Sequence, residues 1–183
     1  MPTYLIDTNV MLAASAYHSP LSALVDEAEP KEPVYRELIY NRLREFDLSD
    51  DSVLMDEECL IRDEYEKNMA FNSHMRDQEY GFQVLQYKQD RGLVKYVPID
   101  VDSSSGEPIG VLSADLTAIV FDTDDRKWVA SAVSAMDYLG IKCPILYGAE
   151  SDWYMIKDEL LKYDIQCDHL LPDAWYINKI SGT

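Results

Sequence analysis

Apolar positions along this chain alternate between two periods. Short β-like runs, Tyr4-Leu5-Ile6, Ser52 to Met55, Leu93 to Ile99, Cys143 to Tyr147 and Ile165 to Leu171, are separated by helix-length amphipathic segments. The helical pattern covers about Val10 to Tyr17, then Pro33 to Phe46, where Tyr35, Leu38, Ile39, Leu43 and Phe46 share one face. It returns over Glu57 to Met69 and over 72–92, with Tyr80, Val84, Tyr87 and Lys88 along one side and Arg91-Gly92 as the stop. A further helix opens at the acidic run 122–125, shows Val129, Ala132, Val133 and Met136 on one face, and stops at Gly140. Ser151 to Tyr163 is the last. This order predicts an α/β domain with a mostly parallel sheet of about five strands. Residues 100–108, acidic and rich in Ser and Gly, read as a mobile loop, and Val111 to Phe121 as a short apolar segment.

Composition narrows the setting. At 183 residues the chain suits one domain, and 47% hydrophobic with 27% charged residues excludes a wholly disordered protein. The longest apolar runs are far too short to span a bilayer, and Met1-Pro2-Thr3-Tyr4 has no signal-like character. Cys59, Cys143 and Cys167 cannot all pair and show no CxxC spacing, which fits a reduced, cytoplasmic location. Charge is the unusual feature: 34 acids against 16 bases leave a net −18. A simple electrostatic nucleic-acid binder has the opposite balance. Most of these carboxylates serve an acidic surface.

Some acids sit where solubility alone does not put them. Ligands of an open parallel sheet bind beyond the carboxyl ends of its strands. Asp7 ends the first strand, and Asp152 follows the fourth at the start of a helix. Asp122, Asp124 and Asp125 open the preceding helix, where Asp124, Asp125 and Asp152 can equally act as helix caps. Glu64 lies three and four residues from Ile61 and Leu60, on the buried face of its helix. A glutamate there is paired, protonated or bound to a metal, or else sits partly exposed at the edge of that face. Asp7, Glu64, Asp125 and Asp152 can converge at one end of the sheet. Such a cluster repels itself without a cation, and oxygen-only donors select Mg²⁺ or Mn²⁺ over zinc. His18, His74 and His169 are scattered and read as structural or solvent-facing.

These residues resemble a family. Tyr4-Leu5-Ile6-Asp7-Thr8-Asn9-Val10 is similar to the opening motif of PIN-domain nucleases, and Glu64 matches their second acid. Asp125 leading Arg126-Lys127-Trp128-Val129-Ala130-Ser131-Ala132 resembles the third motif, and Ile145-Leu146-Tyr147 followed by Ser151-Asp152-Trp153 the fourth. The match runs from Tyr4 to about Pro172. It implies a three-layer α/β/α fold with strand order 3-2-1-4-5 and metal-dependent endonuclease activity, most often on RNA. On that resemblance Asp7, Glu64, Asp125 and Asp152 hold one or two Mg²⁺ or Mn²⁺ ions. Asn9 orients Asp7 or a bound water, Thr8 and Ser151 support the site, and in-line attack on phosphorus leaves a 5′-phosphate and a 3′-hydroxyl.

The departures leave choices open. The fourth motif offers Ala149-Glu150-Ser151-Asp152, so the ligand is Asp152 or Glu150; Asp122 shares the site with Asp125 or replaces it. Arg126 and Lys127 read as ordinary exposed residues of a first helical turn, with phosphate contact as the alternative. Residues 71–92, carrying Arg76, Lys88 and Arg91, read as a helical insertion suited to clamping a substrate or partner. The resemblance also allows a homodimer, and some members are toxins of toxin–antitoxin pairs. With the charge, this suggests a basic protein partner or antitoxin.

Two rivals stand beside this reading. A PIN-fold interaction or scaffold module with little activity agrees with the net charge. Ile119-Val120-Phe121-Asp122-Thr123-Asp124 also resembles the nucleophile motif of haloacid-dehalogenase-type phosphatases, although that motif normally opens its domain. A calcium loop over 100–111 is rejected, since its glycine is one place late and position twelve is Val111.

Overall fold

The computed structural model describes residues 1–69, 78–104 and 106–182. Strand β1 (Thr3–Ile6) leads into α1 (Thr8–His18), a single 3₁₀ turn (Ala23–Val25) and α2 (Pro33–Leu48). Then come β2 (Ser52–Asp56), α3 (Leu60–Asn68), α4 (Tyr80–Asp90) and β3 (Val94–Val97). A small ribbon of β4 (Val101–Asp102) and β5 (Ile109–Gly110) precedes α5 (Ala114–Thr117) and α6 (Arg126–Ser134), which runs on as a π-helical turn (Ala135–Leu139). The chain ends with β6 (Ile145–Tyr147), α7 (Ser151–Leu161), β7 (Cys167–His169) and α8 (Asp173–Ser181).

The sheet is parallel in the order β3-β2-β1-β6-β7. With the ribbon set aside, this is the expected 3-2-1-4-5. Leu5 and Ile6 pair with Ile145 and Leu146, and Thr3 and Tyr4 with Ser52 and Val53. The strand order reverses at β1, so the carboxyl ends of β1 and β6 flank the crevice where such sheets bind ligands. Right-handed crossovers set α1, α2 and α4 on one face and α6 and α7 on the other. The packing agrees: α1 lies on α2 and α4, α6 on β2, and α7 on β7 and α8. Strand residues buried on both faces, among them Leu5, Ile6, Val53, Leu54, Ile145 and Tyr147, join Trp128 and Trp153 in one continuous core. No described helix is long and apolar enough to cross a membrane.

Four segments depart from the periodicity. At the stretch expected as a mobile loop, Val101–Asp102 pairs with Ile109–Gly110 as the antiparallel β4–β5 ribbon, whose two-residue strands are too short to show a period. Helix α3 starts at Leu60 rather than Glu57, because the Asp56 carboxylate accepts the Leu60 and Ile61 amides at 2.6 and 2.9 Å. Helix α8, unforeseen from the apolar pattern, carries Asp173 in its first turn and Lys179 in its last, with Gly182 as a left-handed stop. The run Ile119 to Asp122 lies in a loop, so Asp122 does not end a strand as a phosphatase nucleophile motif requires. Of the helix expected over 72–92, within the proposed insertion 71–92, α4 is observed; 71–77, with His74 and Arg76, lies outside the described residues.

Candidate active site

Asp7 follows β1 directly and caps α1, its Oδ1 accepting the Asn9 amide at 2.9 Å. Its other oxygen accepts Trp153 Nε1–H at 3.1 Å, from a fully buried indole in the first turn of α7. The Tyr65 hydroxyl of α3 donates to the Ile6 carbonyl beside it. The consecutive residues of the Asp-Thr-Asn motif tie α1 to two other helices, Asp7 and Asn9 to the start of α7 and Thr8 to α3. Asp7 meets α7, the Thr8 hydroxyl donates to Glu64 of α3, and Asn9 Nδ2 donates to Glu150 Oε2 at 3.0 Å.

Glu64 is half-buried, at the edge of its helix's apolar face. It is paired: Lys127 Nζ lies 2.6 Å from its Oε2 and also donates to the Asp124 carbonyl. Lys127, expected on the surface, is only 8% exposed. The signal for its burial lay in its helix. Trp128, Val129, Ala130, Ser131 and Ala132 are all buried too, so α6 has little outward face left for a lysine. Its ammonium is the counter-charge that Glu64 pairs with, while Lys67, three residues further along α3, lines the same cleft.

The remaining acids fall on either side. Asp125 precedes α6 without a capping side-chain bond, while Asp122 Oδ1 accepts the Asp124 amide at 2.9 Å and both are exposed. Glu150 is the member of its motif that reaches Asn9. Asp152 is exposed and borders a small pocket with Asp122, Asp125 and the apolar Phe121 and Met155. Ser151 is half-buried at the first position of α7. Lys127, Glu64 and Asp125 line a neighbouring cleft of about 400 Å³ between α3 and the ribbon, shared with Lys67, Asn68 and Asp124.

Electrostatics tie the buried members together. Burial pushes the Asp7 carboxyl up to about 7 against the bonds from Trp153 and the Asn9 amide, and the negative fields of Glu64 and Glu150 add to it. Burial pushes Asp125 up to about 8, with Asp7, Asp122, Glu150 and Glu64 all contributing in the same direction. Glu150 is also raised, by burial and then by Asp152, against the charge of Lys179. Four carboxylates therefore share one field with Lys127 and Lys179 as nearby cations.

Carboxylate oxygens in this deficit of positive charge are the donor set that a hard divalent cation takes. Among the described residues, however, no group of three or more His, Cys, Asp or Glu side chains is set to hold a metal ion. The donor chemistry fits, with Glu64 engaged by a lysine. A carboxyl held near neutral pH is also suited to accepting or donating a proton. Comparison of the chain with family models, with curated proteins and with solved structures gives no significant match.

Proposed function

We propose that this carboxylate cluster is the site of a divalent-cation-dependent nuclease that hydrolyses phosphodiester bonds in single-stranded or structured RNA. One observation carries the reading: Asp7, buried, and Asp125, half-buried and far away in sequence, share one negative field with Glu64 and Glu150 at the carboxyl end of the sheet. Asp7, Asp125 and Glu150 would hold Mg²⁺ or Mn²⁺ together with Glu64, and Asp122 and Asp152 lie at the margin. Such an ion polarises phosphate oxygens and lowers the pKa of water. Asp7, whose carboxyl burial raises to about 7 while no cation is bound, would be held ionised by the cation it ligates. Thr8 and Asn9 hold Glu64 and Glu150 in place, and Trp153 holds Asp7. Lys127 stands at the cleft wall, where its ammonium can pass from Glu64 to a phosphate oxygen. Three free cysteines agree with a cytoplasmic setting. A net charge of −18 favours delivery of substrate by a basic protein partner, with a homodimer or an antitoxin complex as the forms suggested by the PIN resemblance.

The Lys127–Glu64 pair also favours the scaffold reading, because it neutralises one acid from within the chain. Labelled single-stranded RNA and DNA, incubated with the protein in Mn²⁺, Mg²⁺ or EDTA, separate the two. Cation-dependent cleavage of RNA that Asp7→Asn and Asp125→Asn abolish is the expected result. Absence of cleavage, together with a melting temperature indifferent to both cations, overturns the nuclease in favour of the scaffold.

A further inference from the structure

Further along α6, away from the carboxylate cluster, a groove of about 450 Å³ opens between this helix and the loops on either side of the ribbon. Its floor is apolar, with Leu112, Leu116 and Val133, and its rim carries the carboxylates of Glu58, Asp100 and Asp137. Among the described residues, no Lys, Arg or His lines it. The walls are fixed by hydrogen bonds. Ser134 Oγ donates to the Pro98 carbonyl at 2.6 Å, the Ile99 amide to Glu58 Oε2 at 3.0 Å, and the Val111 amide to the Asp100 carbonyl at 2.8 Å. Asp100 and Asp137 are exposed, and neither carboxylate has a hydrogen-bond or ion-pair partner among the described residues. Two large apolar side chains stand open at the edge, Val111 at 47% and Tyr138 at 70% exposure.

We propose that this groove docks a basic amphipathic segment of a partner protein, with apolar side chains on the floor and Arg or Lys against Asp100 and Asp137. Charge complementarity selects the occupant. Asp100 and Asp137, unpaired among the described residues, stand over an apolar floor, so the rim repels phosphate and leaves an uncharged peptide with carboxylates to desolvate. A cationic segment with apolar neighbours satisfies both surfaces at once. The π-helical turn adds to the preference, since the carboxyl end of α6 carries the negative pole of its dipole. The walls are already hydrogen-bonded, so docking does not require the groove to be built. The inference is independent of any chemistry at Asp7.

The test uses the full chain and a labelled helical peptide of alternating Leu and Arg faces, followed by fluorescence anisotropy and amide chemical shifts. Docking predicts shifts concentrated at Leu112, Ala130 and Val133. It also predicts an affinity lowered at least about threefold by Asp100→Asn with Asp137→Asn, two exposed positions that leave the core intact. Peptides with Glu for Arg or Ser for Leu should each bind more weakly. Three outcomes overturn the proposal: an equal loss when the exposed Asp158 and Glu159 are neutralised instead, displacement by spermidine as effective as by unlabelled peptide, or shifts centred on Asp7 and Glu64.

Discussion

The ammonium of Lys127 lies 2.6 Å from the carboxylate of Glu64, joining the first turn of α6 to the middle of α3 across the mouth of the acidic cluster. The pair is mostly shielded, with side-chain exposures of 11% and 22%, and Thr8 holds the other Glu64 oxygen. A chain-borne cation thus occupies part of the field that an added cation would relieve.

Lys127→Met removes that cation and, among the described residues, leaves Glu64 with the hydroxyl of Thr8 as its hydrogen-bond donor. In EDTA the variant should lose about 1.5–3 kcal/mol, the range for a hydrogen bond to a charged group. With Mn²⁺ present the loss should shrink, and the cation should raise its melting temperature more than it raises that of the parent chain. Thermal melts with and without Mn²⁺ check this, and equal shifts in the two proteins would sink it.

Stability should fall as pH rises. The Asp7 and Asp125 carboxyls are raised in the folded chain to about 7 and about 8, from the ordinary 3.8 that holds when unfolded. Below about 4 both states are protonated and the groups contribute no difference. Between about 4 and 8 the unfolded chain ionises first, so each pH unit favours unfolding, and the penalty levels off above about 8. Denaturant titrations in EDTA across this window should show the decline, and Asp125→Asn should flatten its upper part. A parent chain with constant stability from 4 to 8 would refute the assignment.

Glu150 and Asp152 should separate cleanly. Glu150 accepts from Asn9 and sits in the field of Asp7 and Asp125, whereas Asp152 is exposed. Glu150→Gln should abolish most of any Mn²⁺-induced rise in melting temperature, and Asp152→Asn should preserve it. The reverse ranking would transfer the role to Asp152.

Arg36 is 6% exposed and donates to the carbonyls of Pro30, Val25 and Ala28 at 2.6, 2.9 and 2.5 Å, anchoring the segment between α1 and α2. Arg36→Met leaves those carbonyls without that donor. Urea unfolding should show a loss of about 2–4 kcal/mol, more than one buried group left unpaired. A loss under 1 kcal/mol would show that water replaces the guanidinium.

Gly110 packs its backbone onto the start of α6. A Cβ there would stand 3.0 Å from the Lys127 Cα and amide nitrogen, both backbone atoms that cannot swing away. Gly110→Ala should cost about 1–3 kcal/mol and move the ribbon off the helix. Faster amide exchange at Val111, whose N–H bonds the Asp100 carbonyl, is the readout. Unchanged exchange and stability would mean that the ribbon is free of α6.

The alternation of strand and helix was legible because periods of 2 and 3.6 are local properties of the chain. From it followed the α/β class and the placing of Asp7 at a strand end. The PIN resemblance, carried by four motifs from Tyr4 to about Pro172, implied the strand order that the sheet shows. The β4–β5 ribbon was hidden because its strands have two residues each, and α8 because its only fully buried large side chain is Tyr176, too little to mark a periodic face.

Within the site, the sequence by itself determined which residue types lie near the carboxyl ends of the strands and put Glu64 on or at the edge of a buried helix face. Tertiary structure decided who the partners are. Lys127 for Glu64, Trp153 for Asp7 and Glu150 for Asn9 are contacts between residues 63, 146 and 141 positions apart. No local period encodes such pairs. They exist because parallel crossovers bring the starts of α1, α6 and α7 to one end of the sheet, and because a desolvated carboxylate takes whatever donor the packing places beside it.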